Sequence, residues 1–274
     1  LSEHSNNISL NPKLFSRIKQ VYAQKESLKL TAEEEQLLQK TYDGFMRNGA
    51  DLSDSDKEIY RKLSAELSSL TLKFAQNHLK ETNSFELVLT DKNELEGLPE
   101  STVEAARHAA EEKGKKDCWM FTLQAPSYVP FMKYSAKRGL RKKLYMAYNT
   151  QCTHANEYNN TEIVKRIVNI RMEMAQLLRK RMAENSGNVY KLLNDLLDAY
   201  SPAARKEVEE VEKLARETEG ENFILMPWDF SYYAEKLKDR KYSLNDEELR
   251  PYFELGKVKQ GVFGLATRLY GITF

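Results

Sequence analysis

Histidine and cysteine are the side chains that most readily become metal ligands or nucleophiles, and this 274-residue chain carries few of either. The histidines are His4, His78, His108 and His154, and no two are separated by three or four residues. A hydrolytic metal site needs ligands that converge, for instance two histidines one helical turn apart. Cys152 and His154 lie two apart, so on a helix they would point to different sides, and they read as members of a polar loop. Cys118 and Cys152 offer neither paired zinc spacing nor a disulfide framework. Serine nucleophile elbows and phosphate-cradling glycine loops are absent. Gly256, Gly261 and Gly264 do not form a dinucleotide fingerprint, because no strand precedes them and Lys257 to Tyr270 reads as helix. Carboxylates are abundant but sit on striped helices, where solvation accounts for them. The residues alone therefore lead us to expect no catalytic, cofactor-binding or metal-binding residue within 1–274.

The composition narrows the function further. Forty-two basic and 41 acidic residues leave a formal charge of +1, which gives no field to attract nucleic acid or an anionic membrane. No run approaches the length of a membrane-crossing helix, and Leu1 to Leu10 lacks the basic and apolar regions of a signal peptide. Two distant cysteines fit a reducing compartment, so a cytoplasmic location is expected, with the periplasm as the alternative. Aromatic residues crowd the stretch from Trp228 through Tyr232, Tyr233, Tyr252, Phe253, Phe263 and Tyr270 to Phe274. Rings in that number need something large to pack against. With an apolar end at Phe274, the stretch reads as a cut made inside a larger protein.

The elements that would position any site are mostly helices. Asn11 before Pro12 is a cap followed by a proline at the first helical position. Thr31 with Glu34 forms a capping box ahead of the stripe Leu37, Leu38, Tyr42, Phe45 and Met46, which stops at Asn48-Gly49. Ser53 opens a long helix striped by Ile59, Leu63, Leu67, Leu70 and Phe74, running to about Glu81. Alternation then predicts strands at about 85–90 and 119–124, around a helix from Pro99 to near Gly114. Their pairing is not legible. After Ser127 the helices resume with Leu140, Leu144, Tyr145 and Tyr148 on one face. The polar stretch Gln151 to Asn160 leads to a helix carrying Ile163, Ile167, Ile170, Met174 and Leu178. Ser186-Gly187 reads as a turn, and Asn188 to Thr218 as helix, with Ser201-Pro202 favouring a break into two. The charge-rich half from Arg205 to Glu219 reads as a solvated face. The fold class is thus mainly α, a multi-helix body with a small two-strand β element and no legible internal boundary across 1–274.

Several of these residues, in this order, carry a family resemblance. Trp228-Asp229, Tyr232-Tyr233, Tyr242-Ser243-Leu244, Glu248 through Phe253 and Gly261-Val262-Phe263 through Ile272 resemble the thimet oligopeptidase family of zinc metallopeptidases. Within that family they are most similar to bacterial dipeptidyl carboxypeptidases. Phe121-Thr122-Leu123, Pro126-Ser127, Pro130-Phe131, Tyr134-Ser135, Arg138, Leu140-Arg141, Ile163-Val164, Ile167-Val168, Arg171 and Asn83 to Leu87 agree, so the likeness runs from about Thr31 to Phe274. It implies a helical protein whose two halves enclose a channel for short peptides. It also implies a zinc held by HExxH and a glutamate, a zinc-activated water, the motif glutamate as general base, and tyrosines and a histidine at the transition state. In the family those residues follow the segment matching Leu269 to Ile272, so the resemblance transfers no catalytic, zinc-binding or substrate-binding residue to this chain. Its matching positions read as structural.

The expected role is the amino-terminal helical portion of a larger peptidase, with the zinc and the peptide chemistry in a missing carboxy-terminal half. The alternative is a self-sufficient helical scaffold or interaction module. An HExxH motif encoded beyond Phe274 separates the two. The first reading predicts no zinc binding or peptide hydrolysis by this chain, and an exposed apolar surface on Val262, Phe263, Leu265, Ala266, Leu269, Tyr270 and Phe274. The likeness also departs after Leu178: relatives continue through a further short helix before an Arg-Met-Ala stretch, whereas here Arg179-Lys180-Arg181-Met182 follows at once. A break in the covalent chain near Leu178-Arg179 is expected, against a true deletion in which the preceding helix runs straight on.

Overall fold

A computed structural model describes residues 2–178, 186–243 and 246–274. In chain order these form α1 (Ser2–Ser9), α2 (Pro12–Ala23), α3 (Ala32–Arg47), α4 (Asp54–Ser84), β1 (Leu87–Leu89), α5 (Glu100–Glu112), β2 (Trp119–Phe121), α6 (Ala125–Tyr134) and α7 (Arg138–Asn149). There follow α8 (Thr161–Leu178), α9 (Ser186–Glu219), α10 (Pro227–Tyr242), α11 (Asp246–Leu249) and α12 (Leu255–Tyr270). The mainly helical class with one small sheet is as the sequence predicts. The expected break at Leu178-Arg179 lies outside the described residues.

Two compact units divide the chain, Leu1–Ser84 with Thr150–Pro202 and Phe85–Asn149 with Ala203–Phe274. In the first, Asn11 caps α2 by accepting from the N–H groups of Lys13 and Leu14 at 3.0 and 3.1 Å. The capping box of α3 closes in both directions, with Glu34 N–H donating to Thr31 Oγ1 at 3.3 Å and Thr31 N–H donating to Glu34 Oε2 at 2.8 Å. Phe15 stacks against Tyr42 and Phe45, and Tyr22 against Tyr42, which zips α2 to α3 through stacked rings. Helices α4 and α8 are joined by a buried amide pair: Asn77 Nδ2 donates to Asn160 Oδ1 at 2.9 Å, and Asn160 Nδ2 donates to Phe74 O at 3.1 Å.

The second unit holds the sheet. β1 and β2 pair antiparallel, with Leu87 opposite Phe121 and Leu89 opposite Trp119. Leu87 and Leu89 are buried while Val88 faces out, the alternation that a one-sided sheet demands. Both strands are shorter than expected. The Thr122 N–H goes to Ser127 Oγ at 2.9 Å rather than to a strand partner, and α6 begins at Ala125. The core gathers Leu87, Leu89, Leu95, Ala106, Phe121, Leu123, Phe131, Met132 and Leu144. Phe121 and Phe131 meet edge to face at 4.7 Å.

Two local expectations are corrected. Ser186 belongs to α9 rather than to a turn, and α9 is helical straight through Pro202. A proline removes one helical hydrogen bond and crowds the carbonyl four residues before it. Here every residue from 186 to 200 is exposed, so the carbonyls left without a partner face water rather than a dry core, and the break is avoided.

Candidate functional site

The motif residues converge in the second unit around one carboxylate. Asp229 opens α10, and its Oδ2 accepts the Met226 N–H at 3.1 Å as a helix cap. Pro227 stands at the first helical position, where no N–H is required. From α7, Arg138 grips both carboxylate oxygens, with Nε at 3.1 and 3.0 Å and Nη2 at 2.7 Å from Oδ2. One turn further along, Arg141 places Nη2 2.8 Å from Oδ1. The remaining donors of Arg141 reach Ser135 O at 2.7 Å and Trp228 O at 3.3 Å. Arg138 Nη2 also donates to Ile224 O at 3.0 Å. Asp229 and Arg141 are fully buried, and the Asp229 bonds raise the Arg138 guanidinium further above its ordinary value.

Aromatic rings wrap these charges. Arg141 lies 4.2 Å from the Tyr232 ring centre and Arg138 4.5 Å from that of Phe223. Tyr233 is buried beneath them, and its hydroxyl donates to Glu219 at 2.8 Å. Burial first, and then that carboxylate, push the Tyr233 hydroxyl well above the usual tyrosine value. Two guanidinium groups and a backbone N–H occupy the Asp229 oxygens, and none of its surface meets water. A carboxylate in that state has no lone pair facing a substrate and cannot serve as a general base there. Its work is to clamp α7 to the start of α10.

The other candidate side chains are dispersed. His108 stands exposed on α5, 3.6 Å from both Glu104 and Glu111. In the first unit, His154 Nδ1 lies 2.8 Å from Glu81 Oε1 and its Nε2 3.2 Å from Thr150 Oγ1. The second Glu81 oxygen accepts the Cys152 N–H. Burial pushes the Glu81 carboxyl up, but the bonds from His154 and Cys152 outweigh it and hold the group below its ordinary value. Burial, with help from Glu81, pushes the Cys152 thiol up to about 11. Cys152 and His154 thus do come together, as a loop clasp rather than as ligands. The third member, Glu81, was invisible to the sequence because it stands 71 positions before Cys152. Among the described residues, no group of three or more His, Cys, Asp or Glu side chains could hold a metal ion. The zinc that the resemblance implies does not fit these residues, and no metal-dependent step is assigned to them.

Residues 131–274, which contain every member of the Asp229 clamp, match Peptidase family M3. The chain belongs to peptidase family M3. Among curated relatives, it is 33% identical over 286 residues to Oligopeptidase A of Haemophilus influenzae, covering 99% of this chain and 42% of that protein. It is 32% identical to the Dipeptidyl carboxypeptidase of Escherichia coli, covering 100% and 42%. It is 37% identical over 241 residues to a Probable cytosolic oligopeptidase A of Arabidopsis thaliana, covering 82% and 34%. Oligopeptidase and dipeptidyl carboxypeptidase names thus stand within a few per cent of each other. This M3 chain spans less than half the length of these relatives.

Proposed function

We propose that this M3 chain is the amino-terminal, non-catalytic helical portion of a zinc-dependent oligopeptidase or dipeptidyl carboxypeptidase, and that it forms part of the wall of a channel for short peptides. The observation that carries the reading is the Asp229 clamp: the most motif-rich part of an M3 match spends its polar groups on holding helices together. In this reading zinc, general base and peptide cleavage belong to a carboxy-terminal half, within the length of the relatives that this chain does not span.

The last helix supports the reading. Val262, Leu265, Leu269 and Tyr270 of α12 are 51–74% exposed, Phe263 and Phe274 are exposed too, and Ala266 is half-buried. A run of apolar side chains this open is the surface on which a further part of the protein packs. The balanced charge gives no reason to add a nucleic acid or a membrane as partner. The cytoplasm is the proposed compartment, consistent with two unpaired cysteines and with the name of the plant relative, a probable cytosolic oligopeptidase.

Co-expression with the sequence that follows this segment in its parent gene tests the proposal. This chain alone is expected to hydrolyse no internally quenched peptide and to hold no stoichiometric zinc. The pair is expected to do both, and to lose activity on chelation. Zinc-dependent hydrolysis by the purified chain alone overturns the reading, and failure of the pair to gain activity favours a stand-alone scaffold.

A further inference from the structure

A second feature of the same unit is independent of the peptidase reading. Beside the Asp229 clamp lies a cleft of 600 Å³ between the start of α7 and the loop that leads into α10. Arg138, Lys142, Phe223, Ile224, Met226 and Trp228 line it, and no carboxylate does. Its two cations each lie against a ring: Arg138 faces Phe223, and Lys142 Nζ lies 4.9 Å from the Trp228 ring centre. The wall is held in place. Arg138 Nη2 ties the loop at Ile224 O, the Phe223 N–H closes a turn onto Gly220 O at 2.9 Å, and Tyr145 meets Trp228 edge-on.

The charge count around the cleft does not close. Asp229 is saturated by Arg138, Arg141 and a backbone N–H, and the nearby Glu219 accepts the Tyr233 hydroxyl. Lys142 is exposed and meets no carboxylate among the described residues. Ile224, at 70% exposure, leaves a branched apolar side chain open to water at the same place. An ammonium over an indole face, next to bare apolar surface on a fixed loop, is complementary to an apolar group bearing a single negative charge.

We propose that this cleft is a binding site for an apolar or aromatic carboxylate, with the apolar body against Ile224, Met226 and the two rings and the carboxylate on Lys142. Two sources present that chemistry, a free aromatic acid and the carboxy-terminal residue of a peptide.

Trp228 reports on its own cleft. The chain has two tryptophans, so Trp119→Phe leaves Trp228 as the single tryptophan, which can be excited selectively over the tyrosines. N-acetyl-L-phenylalanine is expected to give a saturable fluorescence change in that background. Its amide, which keeps the ring and loses the charge, is expected to bind about tenfold more weakly. Lys142→Ala should produce a similar loss, and Lys143→Ala, on the same helix outside the lining, none. Calorimetric titration of the unaltered chain repeats the comparison without depending on Trp119→Phe folding. Ala-Ala-Phe binding clearly more tightly than the free acid assigns the site to peptide carboxy termini, and equal affinity assigns it to small acids. No saturable response, an amide equal to the acid, or an unaffected Lys142→Ala overturns the proposal.

Discussion

Arg141 and Asp229 lie 88 residues apart in sequence and 2.8 Å apart in space, with side-chain exposures of 2% and 0%. A charge pair this dry is costly to assemble and costlier to break, because each partner left alone keeps the full desolvation penalty. Asp229→Ala is expected to destabilise the chain by about 3–5 kcal/mol, stranding Arg141 and the Met226 N–H together. Asp229→Asn keeps the cap but loses the charge and should fall between that variant and the parent. Urea unfolding of the three proteins checks the order.

Gly97 occupies a position that only glycine fits. Its φ is +86°, and a Cβ there would lie 2.4 Å from Tyr134 O and 3.1 Å from Ala136 N, both main-chain atoms. The backbone approach is fixed by the Ala136 N–H, which donates to Glu96 O at 2.9 Å. Gly97→Ala is expected to cost about 2–3 kcal/mol through strain and displacement of the α6–α7 junction. Gly114→Ala, also at positive φ but with open space around it, should cost less. Thermal unfolding of both variants makes the comparison.

The Glu81–Cys152–His154 clasp should make stability depend on pH at both ends. The fold holds the Cys152 thiol neutral and raises it from 9.0 to about 11. Its contribution is whole below the unfolded value and fades as pH climbs through about 11. Glu81 is held below its ordinary value, so its contribution is present above the unfolded carboxylate range and lost as pH falls through the lower folded value. Cys152→Ala is expected to flatten the alkaline limb of a melting-temperature profile between pH 9 and 11 while keeping the acid limb. Native Cys152 should also react slowly with a thiol reagent at pH 8, since little thiolate is present there. A prompt reaction in the folded protein counts against the clasp.

The face of α12 offers a separation of stability from association. Leu269 is 64% exposed and should contribute little to the chain on its own. Leu269→Asp is therefore expected to shift the melting temperature of the isolated chain by less than about 2 °C and to raise its solubility. If the proposed function holds, the same substitution should also reduce the yield of an active pair formed with a carboxy-terminal half. A large drop in the stability of the isolated chain would show that Leu269 is packed at home.

Much of this was readable in advance, and the exceptions share a cause. The caps at Asn11 and Thr31, the alternation at Leu87 and Leu89 and the apolar stripe of α12 are local patterns whose cause lies within a few residues. The continuous α9 was missed because the proline rule assumes a carbonyl that has nowhere to go, and water receives it at Pro202. The junctions of the two units, Ser84-Phe85, Asn149-Thr150 and Pro202-Ala203, carry no linker composition that a sequence could show. Arg138, Arg141 and Asp229 were marked by resemblance, but no spacing rule could say that they meet. The Glu81 clasp had no signal at all, since a glutamate on a long charged helix looks like every other solvated carboxylate.

The clamp also sets a schedule for the newborn chain. α7 leaves the ribosome about ninety residues before Asp229. At synthesis rates of about 5–20 residues per second, Arg141 waits roughly 5–20 s for its counterion. The first unit faces a similar delay, because α4 must await Asn160, 83 positions after Asn77. Both units are therefore left open at once during translation, with apolar faces uncovered together. A chaperone that holds extended chains can act on both units in that interval, and a translational pause placed between Arg141 and Asn160 should lengthen it.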